Sequence, residues 1–309
     1  MSTARTGQRS GHRTGVLWVV TSAVSYSLFA VFSKSVLDDL RPTDVLFWRF
    51  VIATPTVWLW VAARRRSTGA GVRGAPPRPF FVAGLVFGVL ALFAFAGLDH
   101  LSAALYTVII YTYPAMVAIG SALLGRRPPR RVWLAVGVTL VGIALTVPQV
   151  FSDADADAFG LVLTLLNALL YACYILGTAR FVTPTDTGHR PDGVVASAWS
   201  TVGSLVFSAG VVAVAGLRMP PDAGAWAGLV GLAVISTVLA STTFFLGLAL
   251  LPPATAALVA TLEPVLTLIW AMTILGEHLV PVQVVGAVLV LAGVVWSQRT
   301  SPVAAAEPG

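Results

Sequence analysis

The chain has 309 residues, 57% of them apolar and only 10% charged, with a net charge of +6. Soluble domains carry roughly 25% charged residues, so this composition excludes an ordinary water-soluble globule and keeps most side chains away from water. The basic balance does not point to nucleic acid, because the arginines fall in short segments between long apolar runs.

In chain order, a tail (residues 1–14) holding Arg5, Arg9 and Arg13 leads into an apolar run from Gly15 to about Leu37. That run is longer than the short apolar core of a signal peptide. It is long enough to span a bilayer, so it is expected to be a retained first helix. Further segments of spanning length follow at 43–63, 79–98, 101–124, 132–149, 158–179, 193–216, 225–249, 253–276 and 279–298. Helices are expected because lipid offers backbone polar groups no partner, and the runs are too long and lack the alternation of barrel strands. Pro252-Pro253 divides the uncharged stretch 223–262 into two helices, since proline removes a donor and clashes with the preceding turn.

Charge fixes an expected orientation, because arginine and lysine concentrate on the cytoplasmic side. With the N-terminus inside, the inner segments hold Arg64, Arg65, Arg66, Arg73, Arg78, Arg126, Arg127, Arg130, Arg131, Arg180, Arg190 and Arg299, while the outer ones hold Arg41 and Arg218. Acids such as Asp38, Asp39, Asp44, Asp153, Asp155, Asp157 and Asp222 fall outside. Both termini are therefore expected in the cytoplasm, in an inner or plasma membrane.

The chain repeats itself at an offset of about 150 residues. Leu123-Leu-Gly125 aligns with Ile274-Leu-Gly276, Pro114 with Pro264, Gly137 and Gly142 with Gly286 and Gly293, Trp48 with Trp199, and Tyr26 with Tyr171 at a slightly shorter offset. Each copy holds five helices, an odd number, so the copies must run inverted across the membrane. The expected organisation is a tail (1–14), a first repeat (15–149), an outer loop (150–157), a second repeat (158–298) and a cytoplasmic tail (299–309). Inverted repeats are a transporter device, with the binding site near the midplane between the halves.

These residues resemble the EamA-domain branch of the drug/metabolite transporter superfamily: Pro114 ahead of Leu124-Gly125, Leu262-Glu263-Pro264 ahead of Leu275-Gly276-Glu277, and Leu275-Gly-Glu-His-Leu279 followed by Gly286 and Gly293. The resemblance covers residues 15–298. It implies an all-α carrier of ten transmembrane helices with a central cavity, typically exporting amino acids, other metabolites or drugs. The first half departs from the pattern by placing Arg126 where the second has Glu277.

Ionisable side chains inside a span are costly and are functional candidates by default. Glu263 lies in the middle of its span, where it either switches protonation and couples proton movement to a substrate, or sits paired to stabilise a kink at Pro264. Arg49 has Ser200 at its repeat position, and its fork can hold a carboxylate; Glu263 and Asp44 are its alternative internal partners. Lys34, near the outer end of the first span, is either a site residue or a snorkelling one. Tyr106, Tyr111 and Tyr113 beside Pro114, Asn167, Tyr171 and Tyr174 at helical spacing, and Trp270 suit a cavity for partly apolar solutes, or else ordinary helix packing. Cys173, the only cysteine, is expected to be packed and inert.

Gly69-Ala-Gly-Val-Arg-Gly74 fits G-x-G-x-x-G but has no strand before it. Gly84-Leu-Val-Phe-Gly88 is expected to mark close helix packing. Scattered histidines suggest no zinc cluster, no Walker loop is present, and no cofactor is implied. The expected function is gradient-driven transport of a small molecule, with membrane lipids as surroundings and a monomer or homodimer as the unit. An enzyme acting on lipid, or a structural or sensory membrane protein, are the alternatives: the first needs acids and histidines converging at one depth, the second a filled interior.

Overall fold

The computed structural model describes residues 2–37, 39–68, 74–101, 103–148, 157–182, 191–274 and 280–298. Among them all regular structure is helical. The elements are α1 (Ser2–Ser27), α2 (Phe29–Leu37), α3 (Pro42–Thr68), α4 (Pro77–His100), α5 (Ala103–Ile110), α6 (Tyr113–Leu123), α7 (Arg130–Thr146), α8 (Ala158–Val182) and α9 (Gly193–Ala215). There follow α10 (Ala223–Ala233), a π-helical stretch (Val234–Leu239), α11 (Ala240–Leu248), α12 (Pro253–Ala260), α13 (Leu262–Ile274) and α14 (Pro281–Gln298). Residues 2–14, expected as a tail, are helical and continuous with the first span.

Among the described residues, eight helical segments are long and apolar enough to cross a membrane. Helices α7 and α14 are shorter, at 17 and 18 residues, and pack against each other. Their approach is close because Gly142 and Gly286 face one another, so that a Cβ at either would meet the other's carbonyl oxygen. The Gly84 prediction holds for the same reason. Gly84 on α4 rests on the Ser200 carbonyl of α9, while Gly203 of α9 rests on the Phe81 carbonyl of α4, so this pair of small residues brings two backbones together.

Three predicted spans are broken, and the eighth is widened by the π-helical stretch. The first breaks near Leu28, where Ser25 and Ser27 turn their hydroxyls back to the carbonyls of Thr21 and Val24 and compete with the helical ladder. The fourth and ninth break one turn ahead of their prolines, which cannot donate to the preceding turn. At each break a threonine hydroxyl reaches back three residues: Thr112 to the Ile109 carbonyl at 2.7 Å and Thr261 to the Leu258 carbonyl at 2.6 Å.

The outward surface is apolar. On α8 the exposed stripe comprises Val162, Leu165, Leu166 and Leu169, and Cys173 continues it. The cysteine is thus not packed as expected but lies on the face that meets lipid. The motif Leu275–Leu279, the 299–309 tail and all of the glycine-rich loop but Gly74 lie outside the described residues.

Candidate functional site

A cavity of about 340 Å³ lies inside the bundle, lined from both halves of the chain. Arg49 of α3 and Glu263 of α13 supply its two ionisable groups. Tyr26 of α1, Tyr106 of α5, Tyr111 and Tyr113 at the first helix break, and Asn167 and Tyr171 of α8 supply hydroxyl and amide groups. Phe29, Phe87, Leu90 and Ile110 complete an apolar wall. A concave, mostly apolar space with a few convergent polar groups is the usual form of a small-molecule site.

Arg49 is only 6% exposed, and the π-helical stretch explains how it is held. In that stretch Thr237 donates its hydroxyl to the Leu232 carbonyl five residues back, at 2.8 Å, supporting the wide turn. The same hydroxyl accepts from Arg49 Nε, and Arg49 Nη2 donates to the Ser236 carbonyl at 3.2 Å. The π turn thus offers carbonyls that a regular helix would keep for itself. The guanidinium carbon also lies 5.2 Å from the Phe29 ring centroid and 5.5 Å from that of Phe50, within cation–π range. Among the described residues Arg49 forms no ion pair. Asp44, offered above as its partner, pairs with Arg41 at 2.8 Å and accepts from the Arg218 backbone. Glu263 shares the cavity with Arg49 without closing a salt bridge to it. Nη1 is the one guanidinium nitrogen that the π turn does not engage.

Glu263 stands in the first turn of α13, just after the second break. Tyr111 is its hydroxyl neighbour, and Tyr26 lies within electrostatic reach of both Glu263 and Arg49. Asn167 donates to the Tyr106 hydroxyl at 3.0 Å. The tyrosines form one connected set, with ring centroids 6.1 Å apart for Tyr111–Tyr113, 4.7 Å for Tyr113–Tyr171 and 6.1 Å for Tyr171–Tyr174. Tyr113 further donates to the Ala257 carbonyl of α12 at 3.3 Å. Beyond that bond the α6–α12 seam is tightly packed: Val117, Ala118, Ala256, Ala257 and Leu258 are all fully buried. Tyr113 therefore forms the floor of the cavity at this seam.

The remaining candidates are placed differently. Tyr174 lines a second, much smaller void of about 10 Å³ rimmed by Ser200, Thr201, Ser204, Thr237 and Ser241. Trp270 is not a lining residue; its indole Nε1 donates to Ser27 Oγ at 2.8 Å and ties α13 to α1. Pro114 and Pro264 act through the backbone, each in the first turn of the helix that follows a break, and neither lines the cavity. Lys34 lies in α2, with its side chain outside the described residues. One lining tyrosine, Tyr26, was not offered as a cavity residue from the sequence. It had a usable signal, since its repeat counterpart Tyr171 is a candidate from the sequence and both line the same space. Tyr106 stands among the tyrosines of the fourth span, one turn before Tyr111. The support from Ser236 and Thr237 had no signal, because nothing in the residue pattern announces a π turn.

The sequence matches the EamA-like transporter family twice, over residues 13–147 and 158–298. The chain belongs to the EamA-like transporter family. It is 23% identical over 282 residues to the uncharacterised transporter YcbK of Bacillus subtilis, covering 88% of each chain. It is 24% identical over 225 residues to the threonine/homoserine exporter RhtA of Escherichia coli K12, covering 72% of this chain and 71% of the exporter. The pseudopaline exporter CntI of Pseudomonas aeruginosa is 24% identical over 184 residues, covering 59% of this chain and 61% of CntI. A crystallographically solved chain with 17% identity superposes with a TM-score of 0.78, covering 93% of this chain and 96% of its own, which establishes a shared fold. The family and these relatives point to a multi-pass membrane transporter rather than an enzyme.

Proposed function

We propose that this chain is a secondary active exporter of small zwitterionic metabolites, of amino-acid size, working by alternating access between two inverted five-helix halves. The carrying observation is the pairing of Arg49 and Glu263 in one cavity without a salt bridge between them. Two opposite, uncombined charges on a tyrosine-rich wall suit a solute bearing a carboxylate and an amine. The guanidinium takes the carboxylate as a fork, the glutamate takes the ammonium, and the aromatic wall covers the remainder. A volume of about 340 Å³ stands at the lower end of the ~300–1,000 Å³ common to small-molecule sites.

Broken helices at the repeat interface support the mechanism, since transporters build their midplane sites from discontinuous helices and rock the halves around them. In this reading α7 and α14 are spans too, giving ten, and the arginine bias puts both ends of the chain in the cytoplasm of an inner membrane. The cavity faces outward, and the Tyr113–Ala257 seam is the closed inner gate. Glu263 exchanges its substrate contact for a proton and couples export to the proton gradient.

The test is exchange of radiolabelled amino acids in vesicles reconstituted with the purified chain. Uptake of at least one zwitterion, lost in Arg49→Ala and driven by an imposed pH gradient, is expected. Failure across a panel of acidic, basic and neutral amino acids removes the zwitterion reading, and transport that ignores the pH gradient removes the coupling.

A further inference from the structure

The small void beside the central cavity is chemically one-sided. It measures about 10 Å³ and is lined by the hydroxyls of Ser200, Thr201 and Ser204 on α9, Thr237 in the π-helical stretch and Ser241 on α11. Ser204 stands one helical turn beyond Ser200 and Thr201, which brings the three toward one side of α9. Ser200, Thr201, Ser204 and Thr237 are buried.

The hydrogens of this set are committed. Thr201 donates to the Ala198 carbonyl at 2.8 Å, Ser204 to the Gly84 carbonyl of α4 at 2.9 Å, and Thr237 to the Leu232 carbonyl at 2.8 Å. Ser241 shares a hydrogen bond of 2.7 Å with Ser197, and Ser200 shares one with Tyr174. A hydroxyl that has given its hydrogen away can only accept further bonds, so the void favours a donor over an anion. A cation is disfavoured as well. The Thr237 oxygen already accepts from Arg49 Nε, and a second positive charge beside a buried guanidinium is repelled. The volume admits one heavy atom, about the size of a water. A neutral O–H group meets all three conditions.

The void also adjoins the space a solute would occupy. Tyr26 and Phe87 line both it and the central cavity, and Thr237 joins it to the guanidinium assigned above to the solute's carboxylate. An amino acid held by its carboxylate on Arg49 keeps a short side chain within a few bonds of that anchor, and thus near the void. We propose that this void is a subsite for a hydroxyl on the side chain of the transported zwitterion, so that hydroxylated amino acids are the preferred solutes. The subsite presupposes the zwitterion reading of the central cavity and narrows it. A methyl group of the same size would meet the same oxygens with no hydrogen bond to offer them. Sites built around a solute hydroxyl discriminate against the analogue that lacks it.

The test is initial-rate exchange in vesicles reconstituted with the full chain. It compares serine with 2-aminobutyrate and threonine with valine, pairs in which a hydroxyl and a methyl change places. Each hydroxylated member is expected to show a KM on the order of tenfold lower than its partner. In Ser241→Ala the ratio should fall, and in Thr201→Val/Ser241→Ala it should approach one. Each ratio is read within a single variant, so differences in the amount of folded protein cancel. Thr243→Val removes a buried α11 hydroxyl that bonds the Leu239 carbonyl and does not line the void, and it should keep the wild-type ratio. Exchange of alanine and valine with no advantage for the hydroxylated members overturns the subsite and leaves the zwitterion reading standing; a water held permanently in the void gives this result. Exchange of no amino acid overturns both. A ratio unchanged in the double variant, or lowered equally in Thr243→Val, also overturns the subsite.

Discussion

The two broken helices are alike in frame and unlike in equipment. Thr112 and Thr261 close the two breaks with the same backward hydrogen bond, and Pro114 and Pro264 start the helices beyond. Yet the residue just before the proline is Tyr113 in one half and Glu263 in the other. The second broken symmetry is Arg49, whose counterpart Ser200 sits instead at the rim of a void only large enough for about one water. A symmetric frame with asymmetric charge has a plain reading: the frame provides the hinge, and the odd residues provide the selectivity.

The largest expected effect follows from the larger asymmetry. Arg49→Ala should lower transport at least tenfold, and Arg49→Lys should do nearly as badly, because a lysine cannot grip Thr237 and Ser236 and still offer a fork to the solute. Ser200→Ala should stay within about twofold of wild type, since it removes one hydroxyl from a hydroxyl-rich rim and no charge. The check is initial-rate exchange in vesicles. Equal losses at 49 and 200 would mean that the asymmetry is not functional.

Next in size is the contrast at the breaks. Glu263→Gln should leave exchange measurable but abolish its acceleration by an imposed pH gradient, whereas Tyr113→Phe should keep the gradient response and raise the uncoupled leak, because it removes the bond to the Ala257 carbonyl. Smaller again are Tyr26→Phe and Tyr171→Phe. Both occupy repeat positions and line one space, so each should raise KM by a similar few-fold factor with little change in kcat; a hydrogen bond of about 1 kcal/mol corresponds to roughly fivefold. A strong effect at one and none at the other would extend the asymmetry to the tyrosines.

Much of this was legible in the residue pattern, and the part that was not has a physical cause. Apolar runs and arginine placement carry the helices, because lipid imposes the same length and polarity on each. Glu263, Arg49 and most cavity tyrosines stood out because polar groups in a span are expensive and therefore rare. Of the two readings of Trp270, cavity or packing, the residue pattern could not choose, because an indole N–H is satisfied as well by a serine on a neighbouring helix as by a cavity. The internal breaks of the first and fourth spans were missed since serine and threonine bond their own backbone without altering hydropathy. The support of Arg49 was illegible for a different reason. It depends on a π turn 187 and 188 residues further along the chain, and only tertiary packing brings the two together.

The smallest expected effect tests the frame itself. Thr112→Val and Thr261→Val keep the shape of the side chain and remove one hydroxyl each, so the only loss is the bond to the carbonyl three residues back. Hydrogen bonds between buried groups in membrane proteins are worth about 0.6 kcal/mol on average, and both substitutions should destabilise the chain by about that amount in detergent unfolding. The equality matters more than the size. If the breaks are two copies of one hinge, the single variants should match, and the double variant should show close to their sum, because residues in separate halves with no shared partner add independently. A Thr261→Val effect several times that of Thr112→Val would place the load on the glutamate side alone, and the halves would then differ in frame as well as in charge.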